Sequence, residues 1–145
     1  MFEDGISAGQ RRRIAKCERA GFHVERSTVQ ECYPIIADNR ARKGRPYSMS
    51  LRDWDAMEQH ADCVRCFAVN PGKVGVAMCI QLVPEVLYVQ AWGDRPNQGQ
   101  MSPVVLLCKG IFEWCAEQGI SVLDIGTADD DPGLIAFKQR LGFRA

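Results

Sequence analysis

The run Trp92-Gly93-Asp94-Arg95-Pro96-Asn97-Gln98-Gly99-Gln100-Met101-Ser102-Pro103 holds the chain's most suggestive spacing. Two glycines let backbone come close to a ligand, Arg95 supplies positive charge, and the amides of Gln98 and Gln100 donate hydrogen bonds. Ser102 can cap the helix that follows, with Pro103 at its first position, where a missing N–H costs nothing. The first turn of a helix has N–H groups without intrahelical partners and a partial positive charge. Ser102, Val104 and Val105 therefore offer phosphate a place to bind. The same residues also read as a well-capped surface loop.

Other residue types invite chemistry less directly. Asp124, near the end of the apolar run Ile120–Ile125, can accept a proton or orient an amine, and can equally tie down the loop after it. Tyr88 and Trp92 suit the wall of a substrate pocket or an ordinary core. Cys63-Val-Arg-Cys66 has the spacing of a metal knuckle, but Cys66 opens a strand-like run, where positions three apart face opposite sides. With no second pair and only His23 and His60 elsewhere, no metal site is expected. Seven cysteines is an odd number, scattered through apolar segments, which fits reduced thiols in a cytosolic core.

Helical and strand periods alternate along the chain to position these residues. A basic helix over residues 8–20 stops at Gly21, and Phe22–Glu25 is extended. Ser27 with Gln30 and Thr28 with Glu31 offer two registers of a capping box for a helix with the stripe Val29, Cys32, Tyr33, Ile36, ending near Lys43-Gly44. Ser50 caps a shorter helix with Leu51, Trp54 and Met57 on one side. Cys63–Val69, Val74–Leu82 and Val86–Ala91 form an antiparallel meander. A helix from Pro103 to Gln118 buries Val104, Leu107, Cys108, Ile111 and Cys115 and wets Lys109, Glu113 and Glu117. Ile120–Ile125 is then a buried strand, parallel to Val86–Ala91 across a right-handed crossover. A last helix, Pro132–Leu141, follows the acidic run Asp129, Asp130, Asp131. The fold class is thus α/β (α+β): a mixed sheet with an antiparallel meander plus one parallel pair, in the order β-α-α-β-β-β-α-β-α after the basic N-terminal helix.

The composition bounds the function. The chain has 145 residues, 46% hydrophobic and 25% charged, with 18 basic and 18 acidic side chains. It suits one domain over residues 1–145, and zero net charge argues against a general nucleic-acid binder. No apolar run approaches the ~20 residues of a membrane span and no signal-peptide core precedes the first helix, so a cytoplasmic protein is expected. Residues 1–45 carry ten Arg/Lys against six Asp/Glu, and the remainder eight against twelve. Arg11, Arg12, Arg13, Lys16 and Arg19 read as a solvated helix side, or with Arg40–Arg45 as an RNA or tRNA contact.

The element order resembles the GNAT N-acyltransferase fold. The wording resembles its FemAB-like branch over nearly the whole chain: Arg11-Arg12-Arg13-Ile14-x-Lys16, Gly21-Phe22-x-Val24, Asn39-Arg40-x-Arg42-Lys43-Gly44, Ser102-Pro103, Leu123-Asp124-x-Gly126, Gly133-Leu134-x-x-Phe137-Lys138 and Leu141-Gly142-Phe143. The resemblance implies transfer of an acyl or aminoacyl group to a small-molecule or peptide amine between the two parallel strands. The donor is acetyl-CoA or another acyl-CoA, or alternatively an aminoacyl-tRNA, the only route by which nucleic acid enters. It places oxyanion-binding N–H groups at Gln90, Ala91 and Trp92, and the donor's phosphates along Gly93, Arg95, Gln98, Gly99, Gln100, Ser102, Val104 and Val105. Arg95 stands four residues before Gly99, where acetyl-CoA binders have three, and Met101 takes the second small-residue place. Where many members have a tyrosine, four residues before Gly142, this chain has Lys138. Lys138 and Asp124 are the candidate catalytic residues and Tyr88 and Trp92 the candidate acceptor contacts; Lys138 also reads as a solvated helix lysine. The family's C-terminal hairpin is missing, so a homodimer is expected to cover the open sheet edge. A dimeric binding module that has lost turnover is the alternative.

Overall fold

Local side chains set the helix ends in the computed structural model, which describes residues 5–98, 101–126 and 131–144. Ser7 accepts from the Gln10 N–H and opens α1 (Ala8–Arg19). Thr28 accepts from the Glu31 N–H at 3.3 Å and opens α2 (Val29–Arg42), so the second capping register is the one used. Ser27 instead donates its hydroxyl to the Glu31 carboxylate at 2.7 Å. Ser50 caps α3 (Leu51–His60), and Asp131 caps α5 (Pro132–Arg140) through the N–H groups of Gly133 and Leu134. Ser102 precedes α4 (Pro103–Gln118) but makes no side-chain cap, contrary to expectation, because its backbone is not in the extended conformation of a capping serine. Gly119 closes α4 with a φ of 73°, a conformation that favours glycine.

Five strands, β1 (His23–Ser27), β2 (Val64–Asn70), β3 (Gly75–Val83), β4 (Val86–Asp94) and β5 (Val122–Asp124), lie side by side in sequence order. The first four run antiparallel, and β5 is parallel to β4, with α4 as the crossover. Both faces are covered. Phe67, Val69, Ala77 and Cys79 pack with α1 and α4, whereas Cys66, Ala68, Val76 and Met78 pack with α2 and Trp54 of α3. That alternation is the strand period of two with apolar residues on both sides.

The period breaks in β4. Met78 faces Ala91 and Cys79 faces Val89, leaving Gln90 as an extra residue, a β-bulge. Val89 consequently joins the α4 core and Ala91 the α2 core, although two residues apart in one strand would normally share a face. β5 differs from expectation too. Only Val122–Asp124 pairs, and Val122 is 48% exposed instead of buried, because among the described residues β5 has a neighbour on one side only. All seven cysteines are free and buried, Cys63 and Cys66 included. No helix among the described residues is long and apolar enough to cross a membrane.

Candidate functional site

The parallel pair is short. Val86 pairs with Val122, Leu87 with Leu123 and Tyr88 with Asp124, and there the ladder ends. β4 continues through the bulge to Asp94 while the chain turns away after Asp124, so the two strands part. Their divergence leaves a cavity of about 570 Å³, within the range of roughly 300–1,000 Å³ usual for small-molecule sites. Tyr88 to Trp92 form one wall and Ile125 and Gly126 another. Asp131, Leu134 and Lys138 close one side, with Arg40, Lys43 and Arg45 opposite.

Lys138 does not lie on a solvated helix face. It is 9% exposed, while its neighbours Gln139 and Arg140 are exposed. Its ammonium donates to the carbonyl oxygens of Ile125 at 3.0 Å and Gly126 at 3.1 Å. Asp124 is exposed and outside the cavity lining, and its carboxylate accepts from the Gly126 N–H at 2.8 Å. This fastens the loop, which is the plainer of its two sequence readings. Tyr88 is 37% exposed, and a side chain at Gly126 would meet its ring at 3.6 Å. Trp92 packs edge-on against Phe137 of α5, with ring centres 6.3 Å apart.

Gln90, the bulged residue, is held from the α2 side. Trp54 donates its indole N–H to the Tyr47 hydroxyl at 3.0 Å, and that hydroxyl bonds the Gln90 side-chain oxygen. Burial pushes the Tyr47 phenol up to about 12, so it stays a neutral donor. The Tyr33 hydroxyl donates to the Met49 carbonyl at 2.6 Å and its ring packs on Tyr47, giving the segment after α2 a fixed path. Tyr47 and the three cations of this wall were missed as site residues by sequence reading. Only the basic run Arg40–Arg45 drew notice, and which of its side chains border the cleft depends on how α2 docks.

The remaining predicted residues lie beyond this cavity. The Arg95 N–H bonds the Val74 carbonyl at 2.9 Å, and its guanidinium donates to the carbonyls of Gly72 (2.9 Å) and Lys73 (3.2 Å). Its charge is therefore engaged with the β2–β3 turn. Gln98 donates to the Pro96 carbonyl at 3.0 Å. Gly93 is buried against Asn39, whose amide holds the Asp94 carboxylate at 2.8 Å. Ser102 and Val104 are half-buried and Val105 is buried, its N–H bonded to the Ser102 carbonyl at 3.0 Å. Gly99 and Gln100, and Asp129 and Asp130 of the acidic run, lie outside the described residues.

Neither a protein-family model nor a curated protein matches the sequence. Solved structures match the architecture. A possible acetyltransferase from Clostridium difficile 630 superposes with a TM-score of 0.67, at 10% identity, over 86% of this chain and 91% of that one. This chain has a GNAT-like fold. A GNAT family acetyltransferase from Elizabethkingia anophelis with acetyl-CoA bound gives a TM-score of 0.61 at 13% identity, over 85% of this chain and 76% of that one. AAC(6')-Iy in complex with the bisubstrate analog CoA-S-monomethyl-acetylneamine gives 0.62 at 17% identity, over 86% and 91%. At these identities the likeness is one of fold. None of the three is a FemAB-like protein by name, and that finer branch rests on the sequence motifs alone.

Proposed function

We propose that this GNAT-like protein transfers an acyl group from a coenzyme A thioester to an amine. The observation that carries the reading is the early end of the β4–β5 ladder, which leaves a bulged strand facing a cavity of small-molecule size. Two of the similar solved structures are, by name, complexes with acetyl-CoA or with a CoA bisubstrate analog, which supports a thioester donor. The first turn of α4 fits phosphate in part: the Ser102 side chain does not occupy its N–H groups, although the Val105 N–H is taken by the Ser102 carbonyl. Arg95, turned to the β2–β3 turn, adds no side-chain charge there.

A bound acyl-CoA supplies a thioester carbonyl on which the amine nitrogen forms its C–N bond as C–S breaks, one proton leaving the amine and one going to sulfur. The protein's part is positioning and charge. Arg40 donates to the Trp92 carbonyl at 3.5 Å, which places that peptide on the cleft side of β4. The N–H of Trp92 itself, which in an extended strand lies on the same side as its own carbonyl, is the donor assigned to the thioester carbonyl oxygen. Lys138, held on the carbonyls of Ile125 and Gly126, brings a positive charge and a proton donor to the leaving-group side. A second copy of the chain covering the outer edge of β5 is proposed on the exposure of Val122 there.

Thermal unfolding with coenzyme A, acetyl-CoA and aminoacyl-tRNA tests the donor, because a ligand that binds only the folded state raises Tm. Acetyl-CoA is expected to raise it and to release free thiol when amines are added. No shift by either thioester or thiol, or a shift by aminoacyl-tRNA alone, overturns the reading. Lys138→Met is expected to lower kcat about a hundredfold, the scale of one acid–base group, with acetyl-CoA affinity retained.

A further inference from the structure

Three cations share the α2 side of the cleft. Arg40, Lys43 and Arg45 line the cavity, and among the described residues of its lining the one acid is Asp131, on the opposite side. Arg42 lies between them in sequence but is spent elsewhere, donating to the Asp38 carboxylate at 2.9 Å and the Asp94 carbonyl at 2.7 Å. Arg40 differs from Arg42. Its Nε is buried without a hydrogen-bond partner, and its contact with the Trp92 carbonyl is long at 3.5 Å. A guanidinium has five N–H donors in a planar fork, and a buried donor left unmet is costly. Cations at the end of a helix also suit its dipole, but that role does not call for burying a guanidinium N–H.

We infer that the acceptor amine carries an anionic group, a carboxylate or phosphate, which Arg40, Lys43 and Arg45 hold while its amino nitrogen points toward the bulge at Gln90. The inference rests on the acyl-transfer reading and names its acceptor class. Arginine matches a carboxylate or phosphate in two parallel hydrogen bonds, and two neighbouring cations add attraction without needing fixed geometry. A cavity of about 570 Å³ holds a small molecule, which sets these cations apart from a surface that follows a nucleic-acid backbone. The first turn of α4, where the donor's phosphates are placed, does not line this cavity. The transfer itself is unchanged: the nitrogen of the acidic amine gains the acyl carbon, sulfur leaves, and the amine's proton passes to the thiolate through the site or solvent.

The experiment follows thiol release from acetyl-CoA with matched acceptors of one chain length: an alkylamine, the corresponding ω-amino acid, the aminoalkyl phosphonate, and a diamine. Acidic acceptors are expected to show kcat/KM about tenfold or more above the alkylamine, mostly through KM, the size of one charge-assisted contact. Lys43→Gln with Arg45→Gln, at exposed positions that pose no folding risk, should abolish that preference. Arg40→Gln should do the same, with Tm recorded to confirm folding. Calorimetry of acetyl-CoA should give Kd values for both variants within about twofold of the parent, far from the tenfold set by one lost contact. Equal or better use of the alkylamine or diamine overturns the inference and leaves the transferase reading intact. Weakened acetyl-CoA binding in the variants also overturns it, by assigning the cations to the donor's phosphates. Preferential binding of a short RNA with steep salt dependence overturns it in favour of nucleic acid. If the parent protein fails to bind acetyl-CoA at all, the transferase reading fails first.

Discussion

Asp124 and Lys138 grip the same turn from two directions. The carboxylate accepts the Gly126 N–H, and the ammonium donates to the carbonyls of Ile125 and Gly126. Only Lys138 does so from inside the cleft. The two side chains therefore differ in what their removal does. Asn can supply the same accepting oxygen as Asp124 but cannot take up a proton at neutral pH. Asp124→Asn is expected to keep kcat/KM within about threefold and Asp124→Ala to lose more, the cost of one unmade hydrogen bond of about 1 kcal/mol or a factor of roughly five. Steady-state kinetics of the pair checks this: Asn as damaging as Ala would make Asp124 a base and not a fastener. Sequence reading could name Asp124 from its place near the end of an apolar run, and Lys138 from the resemblance, four residues before Gly142. It could not tell Lys138's burial from a solvated polar run, since Lys138-Gln139-Arg140 looks the same either way.

At the scale of elements, caps, glycine stops and apolar stripes made the order and kind of nearly every helix and strand legible. The element that shapes the site was not. Val86 to Ala91 reads as a plain alternating strand, and no glycine or proline marks Gln90 as the extra residue. The bulge is fixed from outside, by Tyr47 and Trp54 across the α2 side and by pairing with Met78 and Cys79. The close approach of α4 to β1 is likewise invisible in sequence. Gly110 lies so near Val24 that an added Cβ would come within 2.4 Å of the Val24 Cβ. Ala is better than Gly in a helix by about 1 kcal/mol, while overpacking costs typically 1–3 kcal/mol. The clash is deep and its partner is a branched side chain close to the backbone, so overpacking wins. Gly110→Ala is expected to lower stability by about 1–2 kcal/mol in urea titration. A stabilised single variant would show that α4 can move off β1 freely.

The whole molecule buries unionised acids on both faces of its sheet. Burial raises the thiols of Cys17, Cys79 and Cys108, brings Cys115 to about 11, and brings the Tyr47 phenol to about 12. Each folded value lies above the unfolded one, so between the two the native state holds protons that the unfolded state has released. Stability must then fall with rising pH across that window. The window opens near the ordinary thiol value of 9.0 and extends through the phenol at about 12. Below it, these groups are protonated in both states and contribute no slope. The exposed His23–Glu25 pair cannot mimic the effect. Its hydrogen bond raises the histidine above the ordinary 6.5, so what it adds is lost at lower pH, as pH rises through that raised value. Urea midpoints should therefore be nearly level from about pH 8 to 9 and then drop progressively. Cys108→Ala should reduce the alkaline slope even though it costs stability at neutral pH, because it removes one retained proton from the native state. A midpoint that stays level to pH 11 would mean the thiols ionise in place, and that the two cores admit water where the packing closes them.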